Sequence, residues 1–275
     1  MFPNPKASIP ILARIAPQDT HRLALSAAVS IVFVGGGLLL GALLFASIMP
    51  VVDEIYFYKA VGIYLVMLLP LIAFLHTHRP HTRFGPANTV TLIRGAIVCL
   101  LASLYGERWS DMELLVACVA VLALTLDGVD GWLARLRGTQ SRFGARFDME
   151  TDALLGLVLS LLAWQSGQVG AWVLIAGLMR YSFVAASVIL PWLDRPLLES
   201  GRRKTVCVLQ LIALIACVAP ILPDGLREAS ALAGVLMVTG SFAVDVAWLA
   251  GRRRLPLPQA EVNGLWHPAA DRRHQ

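Results

Sequence analysis

Eight apolar stretches follow one another along the chain and constrain its fold more than any other feature. They cover residues 23–52, 55–75, 88–105, 112–134, 149–164, 169–190, 205–222 and 229–250. About 20 mainly apolar residues are enough to cross a bilayer as a helix, which satisfies all of its backbone polar groups internally. Only 15% of the residues are charged, against about 25% in soluble domains. The sequence therefore predicts an all-α polytopic transmembrane bundle of about eight spans.

Acidic, glycine and arginine residues interrupt the apolar pattern between the fourth and fifth stretches. Residues 126–152 have the sequence LDGVDGWLARLRGTQSRFGARFDMETD, which contains Asp127, Asp130, Asp148 and Asp152. In helices, residues three or four positions apart share a face, so each aspartate pair lies on one face of its own helix. Two helices that meet across a short turn at 136–146 would bring the four carboxylates together.

Four carboxylates at a membrane boundary repel one another, and a hard divalent cation removes the conflict because Mg²⁺ and Mn²⁺ prefer oxygen ligands. Four such groups suffice for two ions, which can stabilise the attacking and leaving oxygens of a phosphoryl displacement. Gly131 and Gly144 leave room for a ligand near the backbone, and Arg135 offers a planar donor group to phosphate. The alternative is a solvated loop with surface ion pairs. This interpretation is the weaker one, because the acids fall on two helical stripes that face each other.

The spacing Asp127-x2-Asp130-Gly131-x2-Ala134-Arg135-x8-Gly144-x3-Asp148-x3-Asp152 resembles the signature of the CDP-alcohol phosphatidyltransferase family. Upstream, Asn88-x2-Thr91-x2-Arg94 is similar to the polar stripe that opens the first core helix of that family. The resemblance covers about residues 85–250. It implies an integral membrane enzyme that transfers a phosphatidyl or similar phosphoalcohol group from a CDP-linked donor to an alcohol and releases CMP.

The resemblance also implies roles for individual residues. Asp127, Asp130 and Asp148 would be metal ligands, and Asp152 would be the general base that also touches metal, with two Mg²⁺ (or Mn²⁺) ions bound. The residues implied to bind the nucleotide and diphosphate of the donor are Asn88, Thr91, Arg94, Gly131, Ala134, Arg135 and Gly144.

The acceptor alcohol stays open at this point. CDP-diacylglycerol is the expected donor because the site lies at a membrane boundary, and glycerol 3-phosphate is the first hypothesis for the acceptor. Arg180, within the sixth stretch, and the basic cluster Arg202, Arg203 and Lys204 would suit a phosphate group. An ion pair with Asp245 is the alternative for Arg180. Serine, inositol phosphate, a polyol or a second lipid are further acceptors.

Three parts are expected along the chain. Residues 1–84 form a polar N-terminal segment and an extra transmembrane helix pair, 85–251 a catalytic six-helix core, and 252–275 a polar cytoplasmic tail. The histidine-rich linker at 76–86 is interpreted as a solvated loop, because no acid or cysteine beside it completes a metal site. The four cysteines lie in apolar stretches and are interpreted as small packing side chains.

Eight spans would place both termini and the four aspartates on the same side of the membrane. That side also holds 19 of the 23 Lys and Arg residues, and the exceptions are Lys59, Arg108, Arg180 and Arg227. The positive-inside rule assigns this side to the cytoplasm, and we expect a bacterial inner (plasma) membrane. The net charge of +5 then reflects cytoplasmic loops and contacts with membrane lipids rather than nucleic acid. A homodimer is an expectation from the resemblance. The competing hypotheses are a divalent-cation carrier and a non-catalytic relative.

Overall fold

The computed structural model describes residues 17–48, 55–78, 81–108, 112–195 and 200–252, which contain eight α-helices and no strand. The helices are α1 (Pro17–Ile48), α2 (Ile55–Phe74), α3 (Pro86–Ser103), α4 (Glu113–Arg137), α5 (Arg142–Gln165), α6 (Leu174–Ile189), α7 (Gly201–Val218) and α8 (Asp224–Arg252). Short 3₁₀ turns lie at Leu75–His78, Ala171–Val173 and Pro191–Asp194. The helices follow the order of the eight predicted stretches, so the all-α polytopic bundle is confirmed.

Six segments of the described residues are long and apolar enough to cross a membrane. They are His21–Ser47, Ile55–His78, Pro86–Ser103, Glu113–Arg137, Ala171–Ile189 and Asp224–Gly251. Large apolar side chains such as Phe33 and Val188 face outward from these segments, as contact with lipid requires. The remaining helices, α5 and α7, begin with turns rich in charged residues, so crossing by these two stays a prediction.

Five helices, α1, α3, α5, α7 and α8, begin earlier than the apolar pattern indicated. The largest differences are at α1, which starts at Pro17 rather than residue 23, and at α5, which starts at Arg142 rather than residue 149. The reason at α5 is local, because the Ser141 hydroxyl accepts a hydrogen bond from the Gly144 amide at 3.0 Å and caps the helix there. Asp148 and Asp152 therefore lie well inside a helix and not at its first turn.

The predicted polar N-terminal segment (in its first 16 residues), the acidic turn at 53–54 and the polar tail from residue 253 lie outside the described residues. The N-terminal pair α1 and α2 packs against the remaining helices through α3. Tyr56 of α2 donates a hydrogen bond to the Leu100 carbonyl of α3 at 3.1 Å. Lys59 of α2 donates to Glu107, a buried acid in the loop after α3, at 2.6 Å. Division of the chain at residue 84 stays a prediction.

The prediction that the histidine-rich linker is solvated is wrong at one position. His76 is exposed as expected, but His78 retains only 1% of its exposed area. The rings of Phe143 and His81 lie 5.4 and 5.0 Å from its ring, centroid to centroid. The linker pattern could not show this, because Phe143 comes from α5, far along the chain.

α3 is the helix that positions the site. It packs against α1, α2, α4 and α5, and apolar residues such as Leu92 and Cys99 are fully buried on it. α7 packs against α4, α5 and α8. The polar residues near the start of α3 therefore lie next to the aspartates of both α4 and α5.

Candidate active site

Four aspartates from two helices surround one arginine of a third. Arg94 of α3 is buried, and its guanidinium contacts Asp127 and lies 3.7 Å from Asp130 Oδ2, both on α4. On α5, it lies 2.6 Å from Asp148 Oδ1 and 3.2 Å from Asp152 Oδ1. The four carboxylates are therefore brought together as predicted, although α3, and not close packing of α4 on α5, connects them.

The link between α4 and α5 is shorter than the predicted turn at 136–146. Gly138 ends α4 in the left-handed conformation, with φ 60°, which glycine adopts without steric cost. Thr139 N donates to the Ala134 carbonyl at 3.1 Å, and Ser141 caps α5. A four-residue connection therefore joins the two aspartate-bearing helices, each of which keeps its helical spacing.

Three of the aspartates could hold one metal ion. Asp127, Asp148 and Asp152 each offer a carboxylate oxygen, and these oxygens lie within 4.8 Å of one another. All three are half-buried, so an ion could enter from water. An all-oxygen donor set suits a hard divalent cation. Asp130 lies at the edge of this group, where it is buried and accepts a hydrogen bond from the Thr91 hydroxyl at 2.7 Å.

The charge of this cluster is not balanced by Arg94. With all four carboxylates ionised, as metal ligands are, one guanidinium leaves a net charge of −3 (−4 + 1) in a partly buried site. Buried charge is costly unless it is paired or bound to metal. The residues present therefore fit a divalent cation. One ion would supply two of the three missing positive charges, and a pair would supply four.

Arg94 is buried inside the bundle and does not extend to the protein surface, as a snorkelling side chain would. Its guanidinium faces the acids, and its buried Nε has no hydrogen-bond acceptor in the described part of the chain. An unpaired buried donor of this kind costs about 1–3 kcal/mol.

The remaining residues implied to bind the donor form the wall and the edge of the site. Asn88 lies one turn before Thr91 on α3 and donates to the Phe84 carbonyl at 2.5 Å. A Cβ at Gly144 would lie 2.9 Å from Asn88 Oδ1, so glycine there lets α5 approach α3. At the edge, the exposed Arg135 folds over Gly131, whose Cβ would lie 3.3 Å from Arg135 Nη1. Ala134 is half-buried beside them.

The arginines assigned to the acceptor have carboxylate partners. Arg180 donates to both carboxylate oxygens of Glu150, at 2.5 and 3.2 Å, so the predicted alternative of an ion pair with Asp245 is wrong. Asp245 instead accepts from Arg202 and lies 3.7 Å from Arg203. Glu150 was overlooked because it lies between Asp148 and Asp152 in the sequence but points to another side of α5.

One residue of α7 near the aspartates was also missed. Cys207 Sγ lies 3.9 Å from Asp152 Oδ2, whereas all four cysteines had been interpreted as packing side chains. Cys207 follows Arg203 by four residues, which puts both on one face of α7. The basic start of α7, with Lys204 exposed, therefore lies about one helical turn from the residue that contacts Asp152.

Comparison with known proteins decides the family. The sequence model of the family described as CDP-alcohol phosphatidyltransferase matches residues 84–244, more than half of the chain. The chain belongs to the CDP-alcohol phosphatidyltransferase family. This match begins two residues before α3 and ends within α8, so it contains the four aspartates and Arg94 and leaves out α1 and α2.

A curated relative of this family member is the CDP-diacylglycerol–serine O-phosphatidyltransferase of Helicobacter pylori (strain ATCC 700392 / 26695). The two are 44% identical over 57 residues, which is 20% of this chain and 24% of the relative. The chain thus matches about a quarter of the length of that relative. No solved structure matches the chain significantly.

The match confirms the family expected from the aspartate motif, which consists of transferases. Six membrane-crossing segments and this family together make the protein an integral membrane protein. Members of the family generally depend on divalent metal, in agreement with the three convergent carboxylates.

Proposed function

We propose that this member of the CDP-alcohol phosphatidyltransferase family transfers the phosphatidyl group of CDP-diacylglycerol to an acceptor alcohol and releases CMP. The observation that carries the proposal is the convergence of Asp127, Asp148 and Asp152 beside the buried Arg94. Mg²⁺ or Mn²⁺, as a pair of ions, is the proposed cofactor, held by these three residues with Asp130. Bound there, the cations would polarise the phosphoryl oxygens and stabilise the charge on the leaving group.

The chain's own residues would act on the acceptor and the donor separately. Asp152 would accept the proton of the acceptor hydroxyl. The acceptor oxygen would attack the phosphorus of the phosphatidyl group as the bond between that phosphorus and the oxygen of the departing CMP breaks. Arg94 and the edge residue Arg135 would hold the diphosphate. Thr91 orients Asp130 by its 2.7 Å hydrogen bond. Asn88, Gly131, Ala134 and Gly144 would line the cytidine and ribose.

Glycerol 3-phosphate is the proposed acceptor. Arg202, Arg203 and Lys204 place three positive charges at the start of α7, where Asp245 pairs with Arg202 and lies 3.7 Å from Arg203. Arg203 of this cluster lies four residues before Cys207 on the same face of α7, and Cys207 contacts Asp152. Serine is the second candidate, because the curated relative is named for serine. Arg180, engaged by Glu150, supports neither.

The proposed location is the cytoplasmic face of a bacterial inner membrane, since the basic residues concentrate on the side of the aspartates. CDP-diacylglycerol would then keep its acyl chains in the bilayer and its nucleotide at the water boundary. A homodimer is proposed from the family alone.

The test is release of CMP from CDP-diacylglycerol by the purified protein in mixed micelles with Mg²⁺. Glycerol 3-phosphate, serine, inositol phosphate and a polyol are supplied in turn, and Asp127→Asn is the matched inactive control. Release that needs one acceptor, and that EDTA and the control variant abolish, is the expected result. No release with any acceptor, together with Mn²⁺ uptake into proteoliposomes, would contradict the proposal and favour a cation carrier.

A further inference from the structure

The N-terminal helix pair ends in a buried histidine that touches the aspartate-bearing helix. His78 closes the 3₁₀ turn after α2 and lies six residues before the start of the family match. Its Nδ1 lies 2.7 Å from Ser141 Oγ, the cap of α5. Its Nε2 lies 3.0 Å from the Arg83 carbonyl oxygen and 3.5 Å from Asn88 Nδ2.

The partners of His78 decide which nitrogen carries hydrogen. A carbonyl oxygen only accepts, so Nε2–H donates to Arg83, and Nδ1 is left to accept from the hydroxyl of Ser141. Ser141 Oγ in turn accepts from the Gly144 amide at 3.0 Å. One continuous series of hydrogen bonds therefore runs from the linker before α3, through His78 and Ser141, into the first turn of α5.

This series fixes the end of α5 that carries two of the site's carboxylates. Gly144 is held against Asn88 of α3, where an added Cβ would lie 2.9 Å from Asn88 Oδ1. Asp148 lies one turn farther along α5 and Asp152 two turns. A small shift of the first turn would carry both carboxylates away from Asp127 on α4, because a helix moves as a rigid element over this length.

We propose that His78 is a positioning residue through which the N-terminal helix pair sets the place of α5, and with it Asp148 and Asp152, relative to Asp127. The proposal rests on the proposed function only for its kinetic readout. The helices α1 and α2 lie outside the part of the chain that matches the family. The proposal gives this added pair a role in the reaction.

The experiment compares His78→Ala, His78→Asn and His78→Gln with the exposed control His76→Ala. Asparagine places its carbonyl near the position of Nδ1 and can still accept from Ser141, whereas glutamine reaches towards Arg83 instead. We expect His78→Ala and His78→Gln to lower kcat about tenfold, the lower end of effects seen for outer-shell partners of metal ligands, with little change in donor KM. His78→Asn and His76→Ala should stay near the wild type.

A second readout does not need activity. Mn²⁺ affinity, followed by the EPR signal of the free ion, should weaken severalfold in His78→Ala and return in His78→Asn. Ser141→Ala should lose at least as much affinity as His78→Ala, because it also removes the cap on the Gly144 amide. The double variant should lose no more than Ser141→Ala alone, because the hydrogen bond of His78 is already absent there.

Three outcomes separate the hypotheses. Wild-type activity and Mn²⁺ affinity retained in all three His78 variants would overturn the positioning role. Equal losses in the Ala, Asn and Gln variants, without recovery in Asn, would also overturn it and leave a packing role. If the wild type is inactive with every acceptor, but the Mn²⁺ affinities of the wild type and the variants follow the expected order, the proposed function is contradicted and the positioning role is retained.

Discussion

Replacing Arg94 with alanine removes a guanidinium that contacts all four aspartates. Without metal, the partly buried group of carboxylates then loses its paired cation. Removing one partner of a buried ion pair costs about 3–5 kcal/mol, since the remaining charge is uncompensated. At about 2–4 °C per kcal/mol for a chain of this size class, the unfolding midpoint should fall by roughly 6–20 °C.

The measurement is thermal unfolding of the purified protein in detergent, in EDTA and again with saturating Mn²⁺. A bound divalent cation would replace the lost positive charge, so the deficit of the Arg94→Ala variant should shrink when Mn²⁺ is added. Arg135→Ala is the control from the same motif, and because Arg135 is exposed we expect a change within about 0.5 kcal/mol. Arg94→Lys, which keeps the charge but not the planar fork, should fall in between.

Equal unfolding temperatures of Arg94→Ala and Arg135→Ala in EDTA would show that the ion pairs of Arg94 do not stabilise the fold. Equal stabilisation of the wild type and Arg94→Ala by Mn²⁺ would show that the guanidinium does not share the charge of the metal site.

Three further predictions follow from individual contacts. Asp152→Asn should abolish CMP release while Mn²⁺-dependent binding of CDP is retained in a filter-binding assay, since the amide cannot accept the proton; loss of binding would make Asp152 mainly a ligand. Arg180→Ala and Glu150→Ala should lower the free energy of unfolding by a similar amount, about 1 kcal/mol for a half-exposed ion pair, with acceptor KM unchanged; a raised acceptor KM in Arg180→Ala alone would return Arg180 to the acceptor site. Gly144→Ala should reduce kcat, because its Cβ would lie 2.9 Å from Asn88 Oδ1 and push α5 away from α3. A wild-type kcat in this variant would show that the side chain of Asn88 moves instead of the helix.

The helices and the aspartate pairs could be predicted because both depend on local spacing. Apolar length indicates a membrane helix wherever the chain goes afterwards, and Asp127 with Asp130, or Asp148 with Asp152, share a face in any helix. Helix ends were less accurate where charged residues extend a helix beyond its apolar part. α5 illustrates this, since Ser141 caps it and the helix begins at Arg142, seven residues before the predicted start.

The partners of the charged residues could not be predicted in the same way. Arg180 pairs with Glu150 and Asp245 with Arg202, whereas the sequence left Arg180 either to the acceptor or to an ion pair with Asp245. A pairing across helices requires knowledge of which helices are adjacent, how each is rotated, and at what height its side chains meet. Hydropathy and spacing within one segment contain none of these quantities.

The sequence by itself determined the class of the protein: membrane helices, four carboxylates at fixed spacing, and a signature that the family match confirms. Only the tertiary structure decided that Arg94 lies among the carboxylates, that Cys207 contacts Asp152, and that His78 is buried against the cap of α5. The physical reason is the range of the interactions. Helix formation and burial in lipid are set by neighbours along the chain, whereas a shared site is set by the packing of α3 against α4 and α5, which brings together side chains more than 30 residues apart.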